Sequence, residues 1–137
     1  MTGFIQSIIK NPSRSIRLVN KAAATAIDQN ELLAYDSGLA VPATAATESL
    51  EVIGVATRDI ATAEGLTQVE VIEIFDNDVF VVDSTNASNA AHNGQLMLLT
   101  DSTHVNNTGT TDADGIVEQV DVYGDAADKK ILVKFVK

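Results

Sequence analysis

The chain has no cysteine and no tryptophan, and only two prolines and two histidines among its 137 residues. Without cysteine there are no disulfides and no thiolate ligands or nucleophiles, and the redox compartment leaves no mark. With histidine so scarce, a zinc or transition-metal centre lacks its usual ligands. His92 sits in a polar loop and His104 follows a turn, so both read as surface residues. Aromatics number six: Phe4, Tyr35, Phe75, Phe80, Tyr123 and Phe135. A platform for stacking bases or sugars is hard to build from so few. No apolar run approaches the ~20 residues that span a bilayer, and the first residues lack the long apolar stretch of a signal peptide. No serine lies in a nucleophile elbow, and the eight glycines are scattered rather than gathered into a phosphate loop. The acids Glu70 and Glu73, like Asp76 and Asp78, read as solvent-facing strand and turn positions rather than an acid–base pair. No catalytic residue, cofactor or metal is therefore expected, and the chain does not read as an enzyme.

What is present is aliphatic and acidic. Apolar residues make up 45% of the chain, enough for one domain with a real core filled by Val, Ile, Leu and Ala. The net charge of −10 is unevenly spread. Residues 1–21 carry Lys10, Arg14, Arg17 and Lys21 and no acid. Residues 22–125 carry 18 acids against Arg58 alone, and residues 126–137 carry four lysines against Asp128. An acidic body repels phosphates, so neither nucleic acid nor an anionic membrane is an expected partner.

Residues 1–25 differ in character from the rest and read as an N-terminal arm. Phe4, Ile5, Ile8 and Ile9 could line one face of a short helix ended by Asn11-Pro12, while residues 15–19 could instead be extended. Positive charge beside apolar side chains suits a segment that orders on a partner, and the alternative is packing on its own body as a helix or edge strand. Residues 26–137 read as an all-β body. The stretch ELLAYDSGLAVPAT (31–44) is strand, Asp-Ser-Gly turn, strand, stopped by Pro42. EVIGVAT (51–57) is a buried strand whose Gly54 marks a bulge or a close backbone approach. TQVEVIEIF (67–75) alternates, then changes phase at Val71-Ile72, which implies a bulge or burial on both faces. After the Asp76-Asn77-Asp78 turn, 79–83 returns as a partner strand. A small polar stretch follows (84–94), and 95–100, 116–123 and 131–136 complete the strands. Two acidic turns, Asp76-Asn77-Asp78 and Asp112-Ala113-Asp114-Gly115, resemble pieces of calcium loops, but turn chemistry accounts for both. A 65-residue shift lays Leu33 on Leu98, Asp36-Ser37 on Asp101-Ser102 and Val52 on Val117, a faint internal repeat of 31–57 in 96–122. Strands at this spacing predict a small barrel or sandwich.

The order of these segments resembles that of the head decoration, or cement, proteins of tailed bacteriophages, including the lambda type. The resemblance rests on Glu31–Thr44, Glu51–Thr57 and Thr67–Asp83, and covers about residues 28–83. It implies a β-tulip-like barrel body with an extended N-terminal arm. It also implies a homotrimer on the outer capsid surface of the virion that binds the major capsid protein and cements neighbouring shell subunits against the pressure of packaged DNA. Under it, Phe4, Ile5, Ile8 and Ile9 would supply apolar burial on the shell, and Lys10, Arg14, Arg17 and Lys21 would meet acidic shell groups. The alternatives are another virion part, such as a tail- or fibre-associated β module, and a ligand- or calcium-binding module of a bacterial surface.

Overall fold

The computed structural model describes residues 3–6, 15–75 and 78–136. Among them the fold is all-β, with two sheets and no α-helix of seven or more residues. The strands are β1 (Ile5–Gln6), β2 (Ile16–Asn20), β3 (Leu32–Asp36), β4 (Leu39–Pro42), β5 (Val52–Ala56) and β6 (Gln68–Glu73). They continue as β7 (Phe80–Ser84), β8 (Leu96–Met97), β9 (Leu99–Asp101), β10 (His104–Val105), β11 (Val117–Val122) and β12 (Lys130–Phe135). Short 3-10 turns at Ser49–Glu51, Thr62–Glu64, Ala90–His92 and Ala126–Asp128 join some of them.

The small sheet runs β2-β6-β5-β3-β4. Its ends approach one another, because Lys21 bridges Ala40 in parallel and the Ala22 N–H donates to the Ala40 carbonyl at 3.1 Å. The large sheet runs β8-β11-β12-β7-β10-β9, with β1 added on β7. Only Leu98 separates β8 from β9, so the two are halves of one kinked strand. The first half pairs with β11 and the second with β10, which curls the sheet into a nearly closed six-strand barrel. Closure of this kind removes the open edges that would invite aggregation.

The two sheets share one topology. β2, β6, β5, β3 and β4 correspond in place to β7, β12, β11, the β8–β9 strand and β10. The pairs Gly54–Glu73, Val55–Ile72 and Ala56–Val71 recur as Val117–Phe135, Glu118–Lys134 and Gln119–Val133. The pairs Arg17–Val71, Leu18–Glu70, Val19–Val69 and Asn20–Gln68 recur as Phe80–Val133, Val81–Leu132, Val82–Ile131 and Asp83–Lys130. The parallel Lys21–Ala40 bridge recurs as Ser84–Val105. Positive φ recurs too, at Asn30 and Gly94, both just before the third strand of the unit.

Strand alternation divides the interior between two clusters. Val19, Leu33, Ala40, Ile53, Val69 and Val71 fill the small sheet's concave face, closed at one end by Ile27 and Ile60. The opposite face of the same sheet sends Leu32, Ala34, Val55 and Ile74 into the larger cluster, which holds Phe4, Phe80, Leu99 and Ile131. β3 and β5 are thus buried on both faces. At Gly54 a Cβ would stand 2.4 Å from the Ile72 carbonyl oxygen, so the close approach of backbones expected at that glycine is real, and β3 carries a bulge opposite it, between Leu33 and Ala34. β6 keeps an unbroken register. Its change of phase reflects burial on both sides, Val69 and Val71 inward and Ile74 into the neighbouring cluster.

The described parts of residues 1–25 do not extend from the body. β1 pairs antiparallel with β7, Ile5 opposite Val81. β2 pairs along its whole length with β6. The arm reading, and the helix suggested for Phe4 and Ile5, are replaced at these positions by strands. Backbone groups of an apolar segment are satisfied more fully by a sheet than by a single isolated helical turn.

Candidate interaction surface

Of the eight residues expected to bind a partner, four can be placed. Phe4 is 1% exposed, its ring edge-on to Phe80 at 6.4 Å and tilted on Phe135 at 5.5 Å. It belongs to the core, not to a docking surface. The Gly3 N–H donates to Asp83 Oδ2 at 3.2 Å and the Phe4 N–H to the Asn30 carbonyl at 2.8 Å, and these bonds hold the segment in place. Ile5 is half-buried on β7. Arg17 is exposed on β2 and stands 3.9 Å from Glu73, a loose surface pair. Lys21 is buried, with its ammonium donating to the Ala22 carbonyl at 2.9 Å. Ile8, Ile9, Lys10 and Arg14 lie outside the described residues.

The exposed apolar side chains lie elsewhere. Leu50, in the 3-10 turn Ser49–Glu51, is 91% exposed. That turn is fastened from behind, because the Glu48 N–H donates to the Glu51 carboxylate at 2.8 Å and the Glu51 N–H to the Glu48 carbonyl at 3.0 Å. Both bonds direct the acidic neighbours back onto the backbone and leave Leu50 pointing outward. It forms the ridge between two open grooves. One, of about 610 Å³, is bordered by Ala46, Leu96, Leu98, Asp114 and Val136. The other, of about 380 Å³, is bordered by Arg17, Val52, Glu73, Phe75 and Phe135. Phe75 is half-exposed there. A second exposed apolar group, Ile16 and Leu18, lies on β2 at 53% and 61% exposure. A leucine standing alone between Glu48 and Glu51 was a legible signal for the first group. The second was hidden by the reading of residues 1–25 as a separate arm.

Polar chemistry in the body is structural in form. Lys130 donates to Asp83 Oδ1 at 2.6 Å across the β12–β7 pair. Glu31 is buried, accepting from the Asp28 N–H at 2.7 Å and from the Ser102 hydroxyl at 2.5 Å, and so ties the two sheets together. Asn107 is buried and clamps the 86–87 backbone through four hydrogen bonds. Gln119, fully buried, donates to the Asn89 carbonyl and to Asn93 Oδ1, both at 2.9 Å. It stands where the small sheet has Ala56. At Asp101, partial burial raises the carboxyl pKa, but hydrogen bonds from the Thr103 backbone and the His104 and Thr103 side chains outweigh it and hold the group below the usual carboxylate range. His104 Nδ1 lies 3.0 Å from that carboxylate. The Asp112–Gly115 turn is closed by its own backbone, with Asp112 Oδ1 accepting from the Asp114 N–H at 2.9 Å. Among the described residues there is no group of three or more His, Asp or Glu placed to hold a metal, and no helix long and apolar enough to cross a membrane.

No protein-family model matches the chain, and no curated protein matches it.

Proposed function

We propose that this protein is a structural part of a bacteriophage virion, a decoration protein that binds the outside of the capsid shell and cements neighbouring major capsid proteins. The observation that carries the reading is the Leu50 ridge. A fully projecting leucine, flanked by half-exposed aromatic and aliphatic side chains, sits on an otherwise acidic body. Such a surface suits adhesion rather than transformation of a small molecule. The segment order of residues 28–83 adds the resemblance to cement proteins. Self-association, as a homotrimer under that resemblance, would let weak single contacts act together, since linked sites bind with far greater avidity than each alone. The net charge of −10 keeps a dense protein coat soluble. In this reading the contact is made by the body, because Phe4 is committed to its own core.

The test is co-sedimentation with empty, expanded heads of the source virus. Unaltered protein is expected to pellet at a saturating ratio, and Leu50→Asp to need at least about tenfold more protein for the same occupancy, the effect typical of losing one central apolar contact. Leu50 supports nothing in the fold, so the variant remains folded. If unaltered protein stays in solution at every ratio, the decoration reading falls.

A further inference from the structure

The correspondence between the sheets exposes one place where they differ. In the large sheet, the outer edge of β7 is covered by β1, with Ile5 opposite Val81. The position matching Val81 in the small sheet is Leu18 on β2. Among the described residues no strand covers that edge. The Lys21 N–H reaches the Thr67 carbonyl and the Glu73 N–H reaches the Ser15 carbonyl, so the odd-numbered residues of β2 bond to β6. The even-numbered ones therefore present their N–H and C=O outward, and Ala22, next on that side, already donates to β4. Leu18 thus offers a free donor and acceptor beside two exposed apolar side chains, its own and that of Ile16.

The surroundings of the edge match as well. Asp83, whose Oδ2 holds the Gly3 N–H, corresponds to Asn20, whose amide oxygen is 3.4 Å from Gln68 Nε2 and stays exposed. Phe80 and Phe135, which grip the Phe4 ring, correspond to Arg17 and Glu73, which line the 380 Å³ groove. The small sheet therefore has the same strand slot with a polar rather than an aromatic seat.

We infer that the outer edge of β2 accepts an extended, acidic segment of another protein chain as an added antiparallel strand, centred on Leu18. Backbone pairing supplies the affinity in such additions, and alternate side chains supply the preference. Charge selects the occupant. Residues 1–21, which end at this strand, carry four basic residues and no acid. A second copy of the chain would bring the same basic segment and a body of net −10, so like charges would meet at both levels. An acidic segment meets the opposite sign.

The probe is a fluorescein-labelled acidic octapeptide in which valine alternates with glutamate or threonine, followed by anisotropy at low salt. Leu18→Pro deletes only an outward N–H, a substitution edge strands tolerate. Saturable binding to the unaltered protein is expected, weakened by salt and reduced at least tenfold by Leu18→Pro, while Leu18→Ala, which keeps the backbone, stays within a few-fold. Amide exchange provides a reading that does not depend on either variant folding. The peptide is expected to slow exchange at Leu18 and leave Val19, already bonded to β6, unchanged. Absence of saturable binding, equal binding by the Leu18→Pro variant in its folded state, or an unprotected Leu18 amide would overturn the inference. None of these outcomes bears on sedimentation with viral heads, so the two readings stand or fall separately.

Discussion

Phe4 shows how strongly a single residue decides the meaning of a segment. In an arm it would be dispensable to the body. Here it is buried between Phe80 and Phe135 and is one of the largest wholly buried side chains. Truncating a buried phenylalanine costs about 3–5 kcal/mol, through lost transfer energy and the cavity left behind. Phe4→Ala is therefore expected to lower the stability in urea by that amount, read as a shift in midpoint at constant slope, whereas an arm residue would leave the midpoint in place. Sequence could not separate these cases, because one aromatic near an end beside Ile5 and Gln6 has the same composition in an arm as in an edge strand. Gly54 was easier to read. A glycine among Val, Ile and Ala in a strand has few purposes besides close approach of a neighbour, and the Ile72 carbonyl occupies the space of its missing Cβ. Leu50 was legible on the same logic, an apolar side chain with polar neighbours and no strand to hold it.

The elements repeat, and the repeats differ where side chains had to compensate. The turns Thr62–Glu64 and Ala126–Asp128 lie between corresponding strands, and each ends in a left-handed residue, Gly65 at φ 66° and Lys129 at φ 54°. Glycine occupies that region freely, while a residue with a Cβ is strained there by roughly 1–2 kcal/mol. Lys129 is exposed. Lys129→Gly is thus expected to raise the melting temperature by a few degrees, with glycine's extra freedom in the unfolded chain returning part of the gain. A thermal melt of the two proteins decides it, and a fall in melting temperature would mean that the lysine is not strained. Most strands from 32 to 135 were visible in sequence, because alternation and Asp-, Ser- and Gly-rich turns mark them well. The kink at Leu98 was not. Apolar residues run unbroken from Leu96 to Leu99, and in such a run nothing announces where pairing passes from β11 to β10. The repeat was faint for a related reason. The structural shift is 63 residues at β2 and β7, 62 at β6 and β12, and 65 from Asp36 to Asp101. No single offset aligns the whole unit.

At the scale of the molecule, the question is whether two sheets of one topology behave as two bodies or one. Three features bind them. β3 and β5 place Leu33 and Ile53 in one cluster and Leu32, Ala34 and Val55 in the other, so neither cluster survives loss of the strands they share. The buried Glu31 carboxylate accepts from Ser102 on the far side, and the Leu32 N–H donates to the Ser102 carbonyl at 2.9 Å. The β1 segment runs between them, Phe4 donating its N–H to Asn30 beside the small sheet while its ring fills the large one. Opening the small sheet would expose the apolar side chains that β3 and β5 lend to the larger cluster and leave Glu31 without its hydroxyl partner, each a cost of the order of 1–3 kcal/mol. Independent unfolding is thus penalised several times over. A single calorimetric transition is expected, with calorimetric and van't Hoff enthalpies equal, and slow amide exchange in β5 and β11 should converge on one opening energy. Two resolved transitions, or protection in β11 that outlasts the loss of β5, would mean that each sheet holds itself together. The distinction matters for a protein proposed to carry load between shell subunits, since a body that opens in halves would yield at its own seam before its contacts gave way.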